Sequence, residues 1–297
     1  MRRHTRLLAA SLVLTSLVLA ACVDDDEAAS TTAAAVTTVA VTEAPTTEAP
    51  ATTEASATTE AAATTTEMAM PMAQGTITVF AAASLTAAFT EIGDAFMVAN
   101  PDAEVVFNFA ASSDLVTQIT EGAPADVFAS ADQKNMTKLT DAAANSTDPV
   151  VIATNLLEII VGPGNPKGIT GVADLANQDL IVVTCDPEVP CGKYANEIFA
   201  NAGVTVTSKS LEENVKAVVT KVTLGEADAG IVYKTDVTAA GADAEGVEIP
   251  ADINVLAEYP IAATAEATNP DGAQAFIDFV LSEQGQKIMQ SYGFLAP

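Results

Sequence analysis

The chain of 297 residues carries 39 acidic and 12 basic side chains, which gives a formal net charge of −27 at pH 7. Lysine and arginine contacts to phosphate dominate nucleic-acid binding, and a surface this acidic repels phosphate. The composition therefore excludes a nucleic-acid partner, while the length alone allows either one or two domains.

Residues 1–21 have the composition of a secretory signal. Three arginines within the first six positions precede an apolar run over residues 7–21, which is shorter than the roughly 20 residues of a membrane-spanning helix. The run ends in Leu19-Ala20-Ala21-Cys22, which resembles the lipobox of bacterial lipoproteins. We therefore predict a lipoprotein signal peptide, lipidation of the Cys22 thiol and an extracytoplasmic location, anchored to the cell membrane by that lipid alone. The alternative is an ordinary secretory signal that happens to meet a cysteine.

Removal of this signal changes the chemistry available to the mature chain. All three arginines and the only histidine lie within it, so nine lysines remain against 39 acidic residues. Without histidine, the usual Ser-His or Cys-His catalysis and a histidine metal site are excluded. An enzyme that uses carboxylates or a distant Ser–Lys pair remains conceivable, but no motif requires one.

Residues 22–73 form a low-complexity segment of threonine, alanine and glutamate. The segment has no aromatic residue and cannot bury enough apolar surface to offset the entropy lost on ordering. We predict a flexible tether between the lipid anchor and a folded domain. Metal binding by the acidic run 24–27, or copper(I) binding by Met68, Met70 and Met72, is the less favoured interpretation.

Residues 74–297 alternate between strand and helix patterns. Predicted strands cover residues 76–80, 104–110, 126–129, 156–161, 180–184, 230–233 and 259–263. Predicted helices cover residues 85–99, 114–121, 133–144, 194–202, 214–224, 270–281 and 283–292. Such alternation is typical of parallel or mixed sheets with helices on both faces. A length of roughly 220 residues favours two α/β lobes over one.

Serines stand where two predicted strands meet the helices that follow them. Ser84 opens the helix after the first strand, and Ser112 and Ser113 open the helix after the second. Ligands of α/β sheets gather outside the carboxyl ends of the strands, where helix N-termini offer free N–H groups and a partial positive charge. These serines are therefore candidate anion ligands. Alternatively, they are simply N-caps of the two helices.

Several further motifs occur in one order along the predicted domain. They are Val79-Phe80-Ala81-Ala82-Ala83-Ser84-Leu85-Thr86, the run 118–131, Asp186-Pro187-Glu188-Val189-Pro190-Cys191-Gly192-Lys193-Tyr194, the run 230–236, Glu258-Tyr259-Pro260-Ile261-Ala262 and Tyr292-Gly293-Phe294. Together they strongly resemble the molybdate-binding protein family of ABC transporters. The resemblance implies a two-lobed α/β fold of the type II periplasmic-binding-protein class, with mixed sheets flanked by helices and the ligand in the interlobe cleft. Lobe 1 would span about 75–154 and 256–297, and lobe 2 about 155–255.

The resemblance also implies which groups contact the oxyanion. They are the hydroxyls of Ser84, Ser112 and Tyr233, and the backbone N–H groups of Cys191 and Val215. Molybdate is a dianion with four acceptor oxygens and no proton, so a site made only of donors matches it without arginine or a metal ion. Phosphate usually carries a proton and would need an acceptor as well, so we expect the site to exclude it.

By this resemblance the chain is a binding protein, not an enzyme, and delivers molybdate or tungstate to the permease and ATPase of an ABC importer. It would act as a monomer without a cofactor, with molybdenum bound only as the oxyanion. Three alternatives remain. They are a binding protein for sulfate or another oxyanion, an extracellular hydrolase that depends on serine or carboxylates, and a purely structural surface lipoprotein.

Two cysteines remain if Cys22 is lipidated. Cys191 stands where many members of the family have alanine, and Cys185 lies close before it in the sequence. Disulfides persist outside the cytoplasm, so we predict that Cys185 and Cys191 form one and stiffen the turn that contacts the anion. Two free thiols and a two-cysteine metal site are the alternatives.

Overall fold

A computed structural model describes residues 72–297 of the chain. The predicted signal peptide, the lipidation site Cys22 and the tether up to residue 71, with its acidic run and with Met68 and Met70, lie outside the described residues. Within residues 72–297, no helix combines the length and the apolarity that crossing a membrane requires.

The described chain forms ten strands and eight α-helices. In chain order the strands are β1 (Gly75–Ala82), β2 (Ala103–Ala110), β3 (Val127–Ala129), β4 (Val150–Asn155), β5 (Leu157–Val161), β6 (Val182–Cys185), β7 (Ser210–Glu212), β8 (Ala229–Tyr233), β9 (Glu245–Glu248) and β10 (Ala257–Ala263). The helices are α1 (Thr86–Ala99), α2 (Ser112–Thr120), α3 (Gln133–Asp141), α4 (Pro190–Asn201), α5 (Val215–Thr223), α6 (Lys234–Ala240), α7 (Pro270–Leu281) and α8 (Glu283–Ser291).

The strands form two five-stranded mixed sheets. The first has the order β2-β1-β3-β10-β4, with β1 parallel to β2 and β3, and with β10 antiparallel to β3 and β4. The second has the order β7-β6-β8-β5-β9, with β6 parallel to β7 and β8, and with β5 antiparallel to β8 and β9. We call the part built on the first sheet the first lobe and the part built on the second sheet the second lobe. This architecture confirms the predicted fold class.

Helices cover the sheets with the apolar faces that the sequence pattern predicts. In the first lobe, α1 turns Phe89 and Phe96 inward, and both rings meet Phe276 of α7 edge to face at centroid distances of 6.0 and 5.5 Å. Helix α1 also lies very close to β2, because a Cβ at Gly93 would be only 2.6 Å from the ring of Phe107. This packing fixes α1 and the carboxyl end of β1 that leads into it.

Four elements are absent from the sequence prediction. Strands β7 and β9 have three and four residues and lie at the edges of their sheet, and so short a segment carries little periodic pattern. Strand β4 is separated from β5 by Leu156 alone, which merges the two strands into one apolar region of the sequence. Helix α6 follows β8 directly, without the turn residues that normally mark a boundary.

Two helix ends differ from the prediction by three residues or more. Helix α4 begins at Pro190 and not at residue 194, because the fixed φ and missing N–H of proline suit the first helical position. Helix α3 ends at Asp141 and not at residue 144, since Ala143 adopts a left-handed φ of 53° that stops the helix. The earlier start of α4 matters for the site, because it places Cys191 in the first turn of that helix.

Candidate functional site

A small cavity lies between the two lobes, at the carboxyl ends of β1, β2 and β8. Its volume is about 20 Å³. A cavity needs roughly 10–15 Å³ to hold one water molecule, so this cavity suits an ion of few atoms. No carboxylate or cationic side chain belongs to the described residues that line it. All five predicted contacts do line it: Ser84, Ser112, Cys191, Val215 and Tyr233.

The first lobe contributes two serine hydroxyls. Ser84 lies in the 3-10 turn Ala83–Leu85 after β1, and its Oγ accepts a hydrogen bond from the Tyr259 hydroxyl at 3.1 Å. Ser112 is the first residue of α2, and its Oγ accepts from the Ala131 N–H at 3.0 Å. Neither serine occupies an N-cap position, so the alternative interpretation as N-caps is wrong. Because each oxygen accepts a hydrogen bond, each hydroxyl keeps its own proton for a group in the cavity.

The second lobe contributes the N-termini of two helices. Cys191 is the second residue of α4 and Val215 is the first residue of α5, and amides in a first turn have no acceptor within their own helix. At α4 the N-cap Val189 makes no side-chain cap bond, which leaves the first turn available to an anion. At α5 the side chain of Asn214, the predicted N-cap, accepts from the Ala217 N–H at 3.1 Å, so it caps a later amide than that of Val215.

A disulfide holds the start of α4 against the end of β6. It joins Cys185 to Cys191, whose Cα atoms are 5.7 Å apart. This bond agrees with the predicted pairing and not with free thiols or a two-cysteine metal site. Beside it, Gly192 lies so close to the carbonyl oxygens of Cys185 and Asp186 that no Cβ fits between them. Both the covalent bond and the backbone packing therefore fix the turn that carries the Cys191 N–H.

The hydroxyl of Tyr233 is the most unusual polar group of the site. Tyr233 ends β8 with a side chain that is 1% exposed, and its Oη has no hydrogen-bond partner among the described residues. Its ring lies between those of Tyr259 and Tyr194, at centroid distances of 5.8 and 6.5 Å. Burial raises the pKa of the Tyr233 phenol well above its usual range, and the neighbouring phenols and carboxylates act in the same direction. The phenol therefore stays protonated and can only be a neutral donor to an anion.

Charged side chains near the cavity are paired with each other. Lys216, which follows Val215, donates to the buried carboxylate of Asp236 at 2.8 Å. Burial raises the pKa of Asp236, while Lys216 and the backbone N–H of Tyr233 lower it. Lys216 is thus neutralised locally, and a ligand would meet dipoles and not a free cation.

Contacts between the lobes beside the cavity are absent from the sequence prediction. The Tyr194 hydroxyl donates to the Ala131 carbonyl at 3.4 Å, and Lys193 Nζ lies 3.8 Å from Asp132 Oδ2. Lys193 also lies 5.1 Å from the centroid of the Tyr194 ring. In the sequence, Lys193 is only a lysine in a polar turn. Because Lys193 and Asp132 are far apart along the chain, no local pattern predicts that they pair.

Comparison with known proteins places the chain in a class. A family model described as bacterial extracellular solute-binding protein matches residues 77–295. This match and the interlobe cavity define a solute-binding protein of an ABC transporter, a class whose members are not enzymes.

Individual relatives narrow the class. The molybdate-binding protein ModA of Mycobacterium tuberculosis is 41% identical over 222 residues, which are 75% of this chain and 85% of that protein. The chain therefore belongs to the molybdate-binding protein family, which confirms the resemblance seen in its motifs. The periplasmic molybdate-binding protein of Azotobacter vinelandii has a TM-score of 0.65 at 20% identity, over 74% of this chain and 99% of that one. The sulfate-binding protein SubI of M. tuberculosis has a TM-score of 0.64 at 22% identity, over 74% and 86%. At these identities, the two structures show the shared fold alone.

Proposed function

We propose that this protein binds molybdate, and tungstate as its close analogue, for delivery to the permease and ATPase of an ABC importer. The observation that carries the proposal is the buried Tyr233 hydroxyl, which faces a cavity lined only by neutral groups and has no partner among the described residues. Two serine hydroxyls and two first-turn amides line the same space. A proton-free dianion is the ligand that satisfies such a set of donors.

The number of donors is sufficient for useful affinity. Each hydrogen bond to a charged oxygen contributes about 1.5–3 kcal/mol. Five of them, less the costs of association and of bringing the lobes together, support micromolar binding or better. No arginine is needed, because fixed dipoles in a water-excluded site replace the hydration of the ion.

Sulfate is the second candidate ligand. It has the same charge and the same acceptor-only character as molybdate but is smaller, and the sulfate-binding protein SubI shares the fold. The donor chemistry cannot separate the two ions, so the separation depends on cavity size. Family membership favours molybdate, since the M. tuberculosis ModA relative is 41% identical.

Calorimetry of the lipid-free protein with molybdate, tungstate, sulfate and phosphate tests the proposal. We expect micromolar or tighter binding of molybdate and tungstate, weaker binding of sulfate, and phosphate binding weaker than that of molybdate by about 100-fold or more, because protonated phosphate would lack an acceptor. The Tyr233→Phe variant keeps the ring and loses the hydroxyl, so it should bind molybdate about 10-fold more weakly. Equal affinities for phosphate and molybdate would refute the donor-only site, and tightest binding of sulfate would favour the second candidate.

The molybdate affinity should not depend on pH between about pH 7 and pH 9. Serine hydroxyls and amides do not titrate there. The pKa of Tyr233 is raised above the ordinary value of 10.0, so the phenol loses its proton, and affinity falls, only at still higher pH. Titrations in matched buffers, with circular dichroism to verify the fold, check this result. An affinity change with a midpoint inside the range would show an ionising group in the site.

The proposed location is extracytoplasmic, with the mature chain held at the membrane by a lipid on Cys22 and acting as a monomer. The lipobox-like sequence before Cys22 supports the anchor. Membrane fractionation of cells that express the full chain and the Cys22→Ser variant tests it. Equal retention of both proteins in the membrane fraction would contradict the anchor.

A further inference from the structure

Tyr259 lies directly behind the cavity, on β10 of the first lobe. Its side chain is completely buried, and its hydroxyl donates to Ser84 Oγ at 3.1 Å. Its ring packs edge to face against Tyr233 at 5.8 Å and Phe294 at 5.2 Å. Tyr259 therefore contacts two of the proposed ligand-binding side chains without lining the cavity itself.

The hydrogen bond from Tyr259 determines whether the Ser84 hydroxyl acts as a donor towards the cavity. A hydroxyl has one proton to donate and two lone pairs with which to accept. Burial raises the pKa of Tyr259 well above its usual range, against the opposing hydrogen bonds with Ser84 and Asn155, so the phenol stays protonated. Its O–H is the donor in the hydrogen bond to Ser84 Oγ. The proton of Ser84 is then left for the cavity, and one of the two lone pairs of its oxygen is already used by the phenol.

Ser112 is fixed by a different kind of donor. Its oxygen accepts a hydrogen bond from the backbone N–H of Ala131, and an amide N–H can only donate. The pair of Tyr259 and Ser84 consists of two hydroxyls, each of which can donate or accept. Ser84 is thus the cavity serine whose donor role depends on a side chain, and that side chain can be changed.

We propose that Tyr259 is a positioning residue that holds the Ser84 hydroxyl as a donor towards the cavity, and that it thereby makes the site prefer oxyanions without a proton over oxyanions that carry one. This inference rests on the proposed function and adds a source of selectivity to it. Without the phenol hydroxyl, the Ser84 hydroxyl is free to rotate and to accept a hydrogen bond from a ligand that carries a proton.

The test is a double-mutant cycle on molybdate affinity with Tyr259→Phe and Ser84→Ala. The Tyr259→Phe variant keeps the ring and should bind molybdate about 10-fold more weakly. If Tyr259 acts through Ser84, the same substitution should have no further effect, within about twofold, in the Ser84→Ala background. In the Ser112→Ala background, its full effect should remain. Equal losses in all backgrounds would reduce Tyr259 to a structural residue and overturn the inference.

Selectivity supplies the second readout. Phosphate, added as a competitor against molybdate, should compete better with Tyr259→Phe than with the wild type, by about fivefold or more relative to molybdate. Phosphate that competes no better with the variant also overturns the inference. Tyr292→Phe is the matched control, since its hydroxyl donates to Glu91 at 2.7 Å on the surface, and it should change neither quantity. Failure of the wild type to bind molybdate would refute the proposed function instead, so the two failures are distinguishable.

Discussion

The Val215→Pro variant is expected to bind molybdate between about 10-fold and 100-fold more weakly than the wild type, with helix α5 intact. Proline removes the backbone N–H, which is one of the proposed donors, and the loss of one hydrogen bond to an ion corresponds to about 1.5–3 kcal/mol. Val215 is the first residue of α5, the position at which proline is most readily accepted. The preceding Asn214 has φ −157° and ψ 171°, an extended conformation that a following proline allows.

The Val215→Ala variant is the matched control, because it shortens the side chain and keeps the N–H. Val215 is 3% exposed, so both variants lose apolar packing, and only the proline variant loses the donor. Calorimetry of both proteins separates the two effects, and circular dichroism verifies the helix. If the two variants bind molybdate equally well, the Val215 amide is not a ligand.

The Gly192→Ala variant is expected to lose about 3 kcal/mol of unfolding free energy and most of its molybdate affinity. A Cβ at this position would meet the carbonyl oxygen of Asp186 and would lie 2.6 Å from that of Cys185. Both oxygens belong to the backbone and cannot rotate away, so the first turn of α4 must move. That turn carries the Cys191 N–H, and its displacement withdraws a donor from the cavity.

Gly162→Ala serves as the control for this substitution, because a Cβ at Gly162 meets no atom within 4 Å. Urea unfolding and calorimetry of both variants measure stability and affinity together. We expect Gly162→Ala to resemble the wild type in both. Normal molybdate affinity of a destabilised Gly192→Ala protein would show that the α4 turn does not contact the ion.

The sequence predicts the first-lobe side of the cavity better than the second for a physical reason. Ser84 and Ser112 are polar residues directly after apolar strands, so residue type and position point to the same edge of a sheet. Cys191 and Val215 also line the cavity, but their proposed contacts to the ion are backbone amides, which every residue except proline has. Residue types alone give no signal at these positions, and only the resemblance carried by several motifs in order predicts them.

Contacts between distant segments explain what the sequence could not predict. The bond from Tyr259 to Ser84 joins residues separated by 175 positions, and no local periodicity predicts such a pair. The contact of Tyr194 with Ala131 likewise requires the relative placement of the two lobes. Strand β4 escaped prediction for a local reason, since only Leu156 divides it from β5.

The same junction at Leu156 has a mechanical consequence. The chain leaves the first sheet there and returns to it just before β10, and Asn254 on the returning segment exchanges hydrogen bonds with the Leu157 backbone at 3.0 and 3.3 Å. These hydrogen bonds hold the two crossings together, so we expect them to act as one hinge. We expect rotation about that hinge to move the first turns of α4 and α5 away from the two serines while both sheets stay intact. An ion would then be released as the lobes move apart, without the unfolding of any strand or helix.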